Sequence, residues 1–224
     1  MNNKILAGMG ADLPGLKTDS ISGVNIGRSA VYSTRNISIT VPSGTKCLIF
    51  GHHSIRNGGA NARIHSVKFN GVGMTLGSSA YRSAEYSAHL GFWFINKPPI
   101  GTFTLSYSVY SGPNYSGGRV YFLKKEMISF TPNDSGSDVD GNGNPMVTSV
   151  NAYEGGLMLA SWTSFNGNPS ITYLNKDTTE TNYGAIGSLV PSQNLINKTI
   201  YAYYLGQYYN QGLHVISYNK DNFK

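Results

Sequence analysis

The chain has 224 residues and a formal net charge of +6, and its single cysteine excludes an internal disulfide and a cysteine-based zinc site. Charged residues make up 12% of the chain, about half the usual share for globular domains. The basic residues are scattered, with Lys124-Lys125 the one adjacent pair. Because phosphate tracking needs clustered cations, this pattern argues against a specific nucleic-acid partner. No stretch has the apolar length that a membrane span requires.

Residues 1–29 are rich in Gly, Asn and small side chains and show no sustained periodicity. They predict an N-terminal arm, either extended and bound by partner subunits or a poorly ordered tail, followed by one β-sandwich domain over residues 30–224. The opening MNNKILAGMGADLPG lacks the apolar core of a signal peptide. We therefore expect synthesis in a cytoplasm.

The first strands are predicted from residue 31 onward. Residues 36–41 alternate between polar and apolar side chains, and Pro42-Ser43-Gly44 predicts a turn. Residues 46–51 are almost continuously apolar, which predicts a strand buried on both faces with Cys47 as a buried structural thiol. The sequence HHSIRNGGAN at 52–61 predicts a polar loop.

The chain is organised around residues 62–110. Asn70-Gly71 lies between alternating segments, which is a strong hairpin signal because both residues tolerate positive φ. A short strand through residues 74–76 and two longer strands are predicted next. The longer strands are joined by NKPPIG at 96–101, where the prolines remove ladder donors and the glycine permits a reversal.

The second half continues with short strands separated by polar turns. TPNDSGSDVDGNGNP at 131–145 is the longest breaker segment and predicts a crossing between sheets. Further strands are predicted at 146–150, 157–163, 171–174, 183–189, 200–206 and 214–218. No window has helical periodicity. The predicted fold is all-β, a two-sheet antiparallel sandwich of jelly-roll type.

Three segments carry a resemblance to a known family. They are ISITVPSG at 37–44, SVKFNGVGMTL at 66–76 and GFWFINKPPIGTFTL at 91–105. Their order and spacing resemble a β-sandwich domain of tailed-bacteriophage and prophage structural proteins, over about the middle third of the chain. The resembling motifs are strand edges and turns.

The resemblance implies a non-enzymatic virion structural protein, and the first hypothesis is a capsid decoration or cement protein that binds the assembled shell. The alternative is a tail-associated receptor-binding protein, an adhesin for host-surface glycans. The implied partners are major capsid or tail subunits and further copies of the chain in a homo-oligomer. The implied location is the virion.

Aromatic residues are the partner-binding candidates, because tyrosine gives wide contact area at low entropy cost. The candidates are Tyr115, Trp162, Tyr208 and Tyr209, each predicted to be exposed. Tyr201 and Tyr203 alternate with Ala202 along a strand, and the simplest interpretation places them in the core.

No catalytic motif, carboxylate pair or cofactor fingerprint is found, so neither an enzyme nor a cofactor is predicted. His52 and His53 are expected in a loop, and His65 and His89 on outer strand faces, with no metal site. Residues 138–143 match the first half of a calcium loop, but position twelve is Ser149. A calcium turn made by Asp134, Asp138 and Asp140 remains an alternative to an acidic surface loop.

Overall fold

The computed structural model describes residues 15–27, 29–31, 34–57, 62–82, 86–110, 114–139, 145–163, 168–178, 184–205 and 212–224. The first ten strands are β1 (Ile21–Asn25), β2 (Ser29–Val31), β3 (Thr34–Val41), β4 (Cys47–Asn57), β5 (Ile64–Phe69), β6 (Val72–Gly73), β7 (Thr75–Arg82), β8 (Tyr86–Asn96), β9 (Gly101–Val109) and β10 (Asn114–Leu123). The next eight are β11 (Asp134–Asp138), β12 (Met146–Ala152), β13 (Leu157–Thr163), β14 (Asn168–Ile171), β15 (Asn175–Lys176), β16 (Gly184–Leu189), β17 (Leu195–Leu205) and β18 (Gly212–Tyr218). Helical structure in the described ranges consists of single 3₁₀ turns at Thr18–Ser20 and Lys220–Asn222, and neither could cross a membrane.

The strands form four antiparallel sheets. The first outer sheet has the order β3-β9-β5-β6, and the first inner sheet has the order β1-β10-β4-β8-β7 with β2 also paired to β10. The second inner sheet is β11-β18-β13-β16-β15, and the second outer sheet is β12-β17-β14. We call the first outer and inner sheets the first sandwich, and the other two sheets the second sandwich.

Three hydrophobic cores lie between successive sheets. The first core, between the first outer and inner sheets, includes Phe69 and Trp93. The central core joins the two inner sheets and includes Phe94 and Tyr218. The third core, inside the second sandwich, includes Trp162. The layers therefore follow the order outer, inner, inner, outer.

Because each inner sheet has a core on both faces, its central strands are buried on both faces. Every residue of β13 and β18 is buried. This explains the nearly continuous apolar character of these strands. The prediction of an all-β fold of packed antiparallel sheets is confirmed, with four sheets where two were predicted. The jelly-roll part of that prediction is not confirmed.

The two sandwiches have the same strand order. In the first, β3-β9-β5 faces β10-β4-β8-β7, and in the second, β12-β17-β14 faces β18-β13-β16-β15. The correspondence follows the order of the chain. It pairs β3 with β12, β4 with β13, β5 with β14, β7 with β15, β8 with β16, β9 with β17 and β10 with β18. In addition, β1 and β11 each pair with the last of these strands in their own sandwich. The chain therefore repeats one sandwich topology twice.

Local details repeat as well. The turn after β3 has a hydrogen bond from Thr45 N to Pro42 O, and the turn after β12 has one from Gly156 N to Tyr153 O. Each turn places a glycine at positive φ, 82° at Gly44 and 69° at Gly155. These shared turns set the alignment of the two copies.

An irregularity also recurs at corresponding edge strands. The register between β7 and β8 shifts between Leu76 and Ser78. In the second copy, the amides of Asp177 and Thr178 both donate to Ile186 O, at 2.9 and 3.3 Å. Ile186 corresponds to Phe92, the residue opposite the first irregularity. Bulges are specific structural features, so their recurrence supports the correspondence.

The junction between the sandwiches has related polar contacts on its two sides. Arg119 Nη1 on β10 donates to Asp177 O at 3.0 Å, and His214 Nε2 on β18 lies 3.0 Å from Ser78 Oγ. By strand register, Arg119 corresponds to His214, and the segments they contact correspond as well. The two copies therefore meet through an approximately twofold-related interface.

A further polar cluster closes one side of the junction. Tyr121 Oη and Ser188 Oγ both donate to Asp177 Oδ2, at 2.7 and 2.5 Å. Burial, with the Asp177 charge as a smaller cause, raises the pKa of the Tyr121 hydroxyl well above its usual range. The hydroxyl therefore remains a donor and links the two inner sheets.

The predicted arm and the organising stretch both differ in part from the structure. Residues 15–27 belong to the folded body, because Leu16 is buried in the central core and β1 pairs with β10. Residues 1–14 of the arm lie outside the described residues. The four strands predicted in 62–110 exist, with Asn70 and Gly71 at φ 50° and 78°, but they divide between two sheets.

Replacing Trp93 by Ala should lower the free energy of unfolding by about 3–5 kcal/mol, because it removes a large side chain from the first core. Trp93 is 4% exposed and its ring lies 4.6 Å from that of His52. Urea titration followed by circular dichroism measures the change. Val72→Ala, at a position 57% exposed, is the control and should stay within about 0.5 kcal/mol of the wild type. Equal midpoints for both variants would contradict the burial of Trp93.

Candidate functional site: the outer face of the second sandwich

The outer face of the second outer sheet carries two neighbouring tyrosines on strand β17. Along β17, Ile200 and Ala202 point into the third core. Since side chains alternate along a strand, Tyr201 and Tyr203 point outward. Tyr203 is 40% exposed and Tyr201 is half-buried. The prediction that these two tyrosines fill the core is therefore wrong.

The two tyrosines form an aromatic strip with a valine from the neighbouring strand. Their ring centroids are 5.9 Å apart and the ring planes differ by 20°. Val147 on β12 is directly opposite Tyr201 and is itself 40% exposed. Ser170 on β14 is opposite Tyr203. We call Val147, Tyr201 and Tyr203 the aromatic strip.

Neutral hydroxyl groups surround the aromatic strip. Ser149 and Thr199 form a cross-strand pair with their hydroxyls 3.4 Å apart, and Thr172 Oγ1 accepts the Tyr201 amide at 3.0 Å. Charges lie at its borders: Asp138 Oδ2 accepts the Val147 amide at 2.8 Å, and Lys198 Nζ lies 3.9 Å from the Tyr173 ring centroid. The strip itself carries no charge.

The corresponding face of the first outer sheet is different. By register, Asn36, Ser106 and Ser108 occupy the positions of Val147, Tyr201 and Tyr203. Hydroxyl pairs cross that sheet, with Thr34 Oγ1 2.9 Å from Ser108 Oγ and Thr40 Oγ1 2.9 Å from Thr102 Oγ1. At these positions the first sandwich therefore presents a hydroxyl-rich face, with Lys68 opposite Ser106, where the second presents the aromatic strip.

The aromatic residues predicted as partner contacts are found in three different situations. Tyr115 on β10 is 37% exposed, between Ala30 on β2 and Ile55 on β4. Trp162 is fully buried in the third core, so the prediction that it is an exposed platform is wrong. Tyr208 and Tyr209 lie outside the described residues.

Trp162 is buried because small residues leave room for its indole ring. A side-chain carbon added at Gly187 would lie 3.2 Å from that ring, and Ala160 and Ala185 also line the third core. By register, Trp162 corresponds to His52 and Gly187 to Trp93. Each sandwich therefore has one tryptophan in its core. In the first sandwich it lies on β8, and in the second it lies on β13, which corresponds to β4, the partner of β8.

Histidines were also expected at the surface, and four of the five are buried. His52 and His53 continue β4 and are fully buried, while His89 and His214 are 3% and 4% exposed. The predictions of a loop for the first two and an outer face for His89 are wrong. His65 is exposed, as predicted. The central strands of the inner sheets are covered on both faces, so the histidines on β4, β8 and β18 have no route to solvent.

His52 and His89 form a hydrogen-bonded pair in the first sandwich. His89 Nδ1 accepts the Ile64 amide at 3.1 Å and lies 3.2 Å from His52 Nε2. His52 Nδ1 lies 3.2 Å from Gly91 O. A neutral His52 has one ring N–H, so it can donate to His89 or to the carbonyl but not to both. A proton on His52 would satisfy both contacts, at the cost of burying a charge.

Burial keeps these imidazoles neutral. It lowers the pKa of His52 well below its usual range, with the neighbouring His89 as a smaller cause. Burial, helped by the Arg63 charge, lowers the pKa of His89 to about 3, and burial lowers that of His214 to about 4. Within the described residues, no group of three His, Cys, Asp or Glu side chains is arranged to hold a metal ion.

The calcium turn considered from the sequence is not formed by its described members. Asp134 Oδ2 accepts the Asn151 amide at 2.7 Å, and Asp138 Oδ2 accepts the Val147 amide. Four residues of extended strand separate the two carboxylates by roughly 13 Å. They therefore join β11 to β12 and cannot share one ion. Asp140 lies outside the described residues.

A cleft of about 850 Å³ lies beside the turn between β12 and β13. Lys17, Glu154, Lys220 and Asp221 line it, so both signs of charge are present. Such a mixed lining does not select one ligand chemistry, and we assign no function to the cleft.

Comparison with known proteins found no matching family model, no matching curated protein and no matching solved structure. Function is therefore inferred from the residues of this chain.

Acidification should destabilise the protein through His52, His89 and His214. The pKa of each is lower in the folded chain than the usual 6.5, so below that pH the unfolded chain binds more protons. The free energy of unfolding should be highest above pH 7 and fall toward pH 4, by about 1.4 kcal/mol per pH unit for each such histidine. Urea titrations across this pH range measure the slope.

Two variants test the origin of that slope. His214→Gln should reduce it by about one proton, because one buried imidazole is removed. His65→Gln, at an exposed position, should leave it unchanged. Equal slopes in all three proteins would show that His214 contributes nothing to the pH dependence.

Proposed function

We propose that the chain is a non-enzymatic virion structural protein of a tailed bacteriophage, a decoration or cement subunit that binds the assembled capsid. The observation that carries the proposal is the repeat. The segments resembling phage structural proteins, at 37–44, 66–76 and 91–105, fall within the first sandwich, and the second sandwich repeats its topology. Most of the described chain thus consists of two copies of one sandwich topology, the first of which carries the resemblance.

Several features suit docking onto a preformed shell. The three cores join both sandwiches into one body, so little conformational freedom would be lost on binding. The net charge of +6 would favour encounter with an acidic shell. Binding restricted to the assembled form would add stability to that form by mass action.

A second candidate is the tail-associated adhesin for host glycans. One observation favours it, the aromatic strip on the second outer sheet, because aromatic rings stack on sugar rings. This candidate places the same two-sandwich body at the tail.

Purified protein mixed with emptied phage heads and, separately, with isolated tails should bind the heads, to saturation and at regular spacing. Sedimentation measures the amount bound and electron microscopy shows the spacing. Deleting residues 1–14 should weaken head binding, because that segment is the first part of the arm, residues 1–29, that is predicted to anchor the protein. The deletion stops before Gly15 because Leu16 belongs to the central core.

A thermal melt of the deletion variant is the control, and it should match that of the full chain. Weaker binding with an unchanged melt would support an anchoring segment. Bare heads combined with protein on tails would overturn decoration in favour of the adhesin, and binding to neither would overturn both.

A further inference from the structure

We propose that the aromatic strip of Val147, Tyr201 and Tyr203 binds a neutral saccharide, with pyranose rings packed against the tyrosines. The inference extends the second candidate function but does not depend on where in a virion the protein sits. Saccharide binding is a property of the isolated chain and is tested separately from docking on heads or tails.

The repeat shows that this fold does not need tyrosines at these positions. In the first outer sheet, the same positions hold Asn36, Ser106 and Ser108 on strands with the same neighbours. The inward neighbours are apolar or aromatic in both copies: Leu105 and Tyr107 in one, Ile200 and Ala202 in the other. The outward difference is therefore not required by the packing of the sheet, which leaves these positions free to serve a surface contact.

The size of the strip fits a small ligand better than a folded protein. At 40% exposure, Tyr203 presents roughly 80 Å², since a tyrosine buries about 200 Å² when fully covered. The three side chains together present on the order of 200 Å². A stable protein interface needs about 800 Å² from each partner, so the strip alone falls well short of one.

The chemistry of the strip selects an uncharged sugar. Pyranose rings with equatorial hydroxyls have flat C–H faces that pack against aromatic rings, and their hydroxyls bond to neighbouring hydroxyl and amide groups. Ser149, Ser170 and Thr199 supply hydroxyls beside the rings. The strip's own side chains carry no charge, and the charges at its borders are of both signs, with Lys198 over the Tyr173 ring and Asp138 on the Val147 amide. A neutral glycan with flat faces, such as a β-1,4-linked glucan, is therefore the ligand class.

The test uses native affinity electrophoresis in gels containing hydroxyethylcellulose, a soluble β-1,4-glucan, with dextran as the flexible α-linked comparison. The wild type should be retarded by hydroxyethylcellulose and much less by dextran. Tyr201→Ser combined with Tyr203→Ser copies the residues of the first sandwich and should lose at least ten-fold in affinity. Tyr110→Ser removes another exposed tyrosine, 59% exposed on a different surface, and should bind like the wild type.

A gain-of-function variant provides a test that does not rely on loss of glycan binding. Ser106→Tyr combined with Ser108→Tyr places the two rings on the first outer sheet and should strengthen retardation. Thermal melts confirm that every variant is folded. Unretarded wild type would overturn the proposal, as would equal losses in the Tyr110 variant and the double serine variant. Retardation equal in dextran and hydroxyethylcellulose would overturn the selectivity for flat-faced glycans.

Discussion

The structure depends on the central core, in which two inner sheets pack against each other while each also covers an outer sheet. This arrangement requires β4, β8, β13 and β18 to present buried side chains on both faces. It also explains why polar residues on these strands are buried: His52, His53 and His214 occupy positions that the layering leaves without solvent. For His52 and His214, the cost of burial is reduced because the imidazoles stay neutral and polar atoms lie beside them, as between His214 and Ser78.

The positions of tight turns could be predicted from the sequence. Which strands lie in the inner layers, covered on both faces, could not. Asn70-Gly71 adopts the positive φ values that its residues suggest, because a tight turn depends on those residues alone. By contrast, HHS at 52–54 looks like the start of a loop, yet β4 continues to Asn57 because sheets on both sides cover it. Burial of that kind depends on distant strands, which a local pattern does not contain.

The same limit applies to the candidate site. Alternation along β17 places Tyr201 and Tyr203 on one face and Ala202 on the other, but it does not say which face is covered. Trp162 occupies much of the core of the second sandwich, so β17 contributes a small residue, Ala202, to that core. Since Trp162 is distant in sequence, its effect on β17 could not be read from the strand. The repeat was missed for a related reason: corresponding positions such as Trp93 and Gly187 exchange large and small residues, so the topology repeats while the sequence does not.

The order of layers also separates the two outer faces. Packed sheets are about 10 Å apart, so four layers place the hydroxyl-rich face and the aromatic strip roughly 30 Å apart, on opposite sides of the body. A partner on one face would therefore leave the other accessible. Joining two copies of one fold through their inner sheets lets the outer faces diverge independently, since neither contributes to the shared core. Ser106 in the first copy and Tyr201 in the second occupy corresponding positions. A change from serine to tyrosine at such a position alters what the outer face can contact, and it does not disturb the packing that holds the copies together.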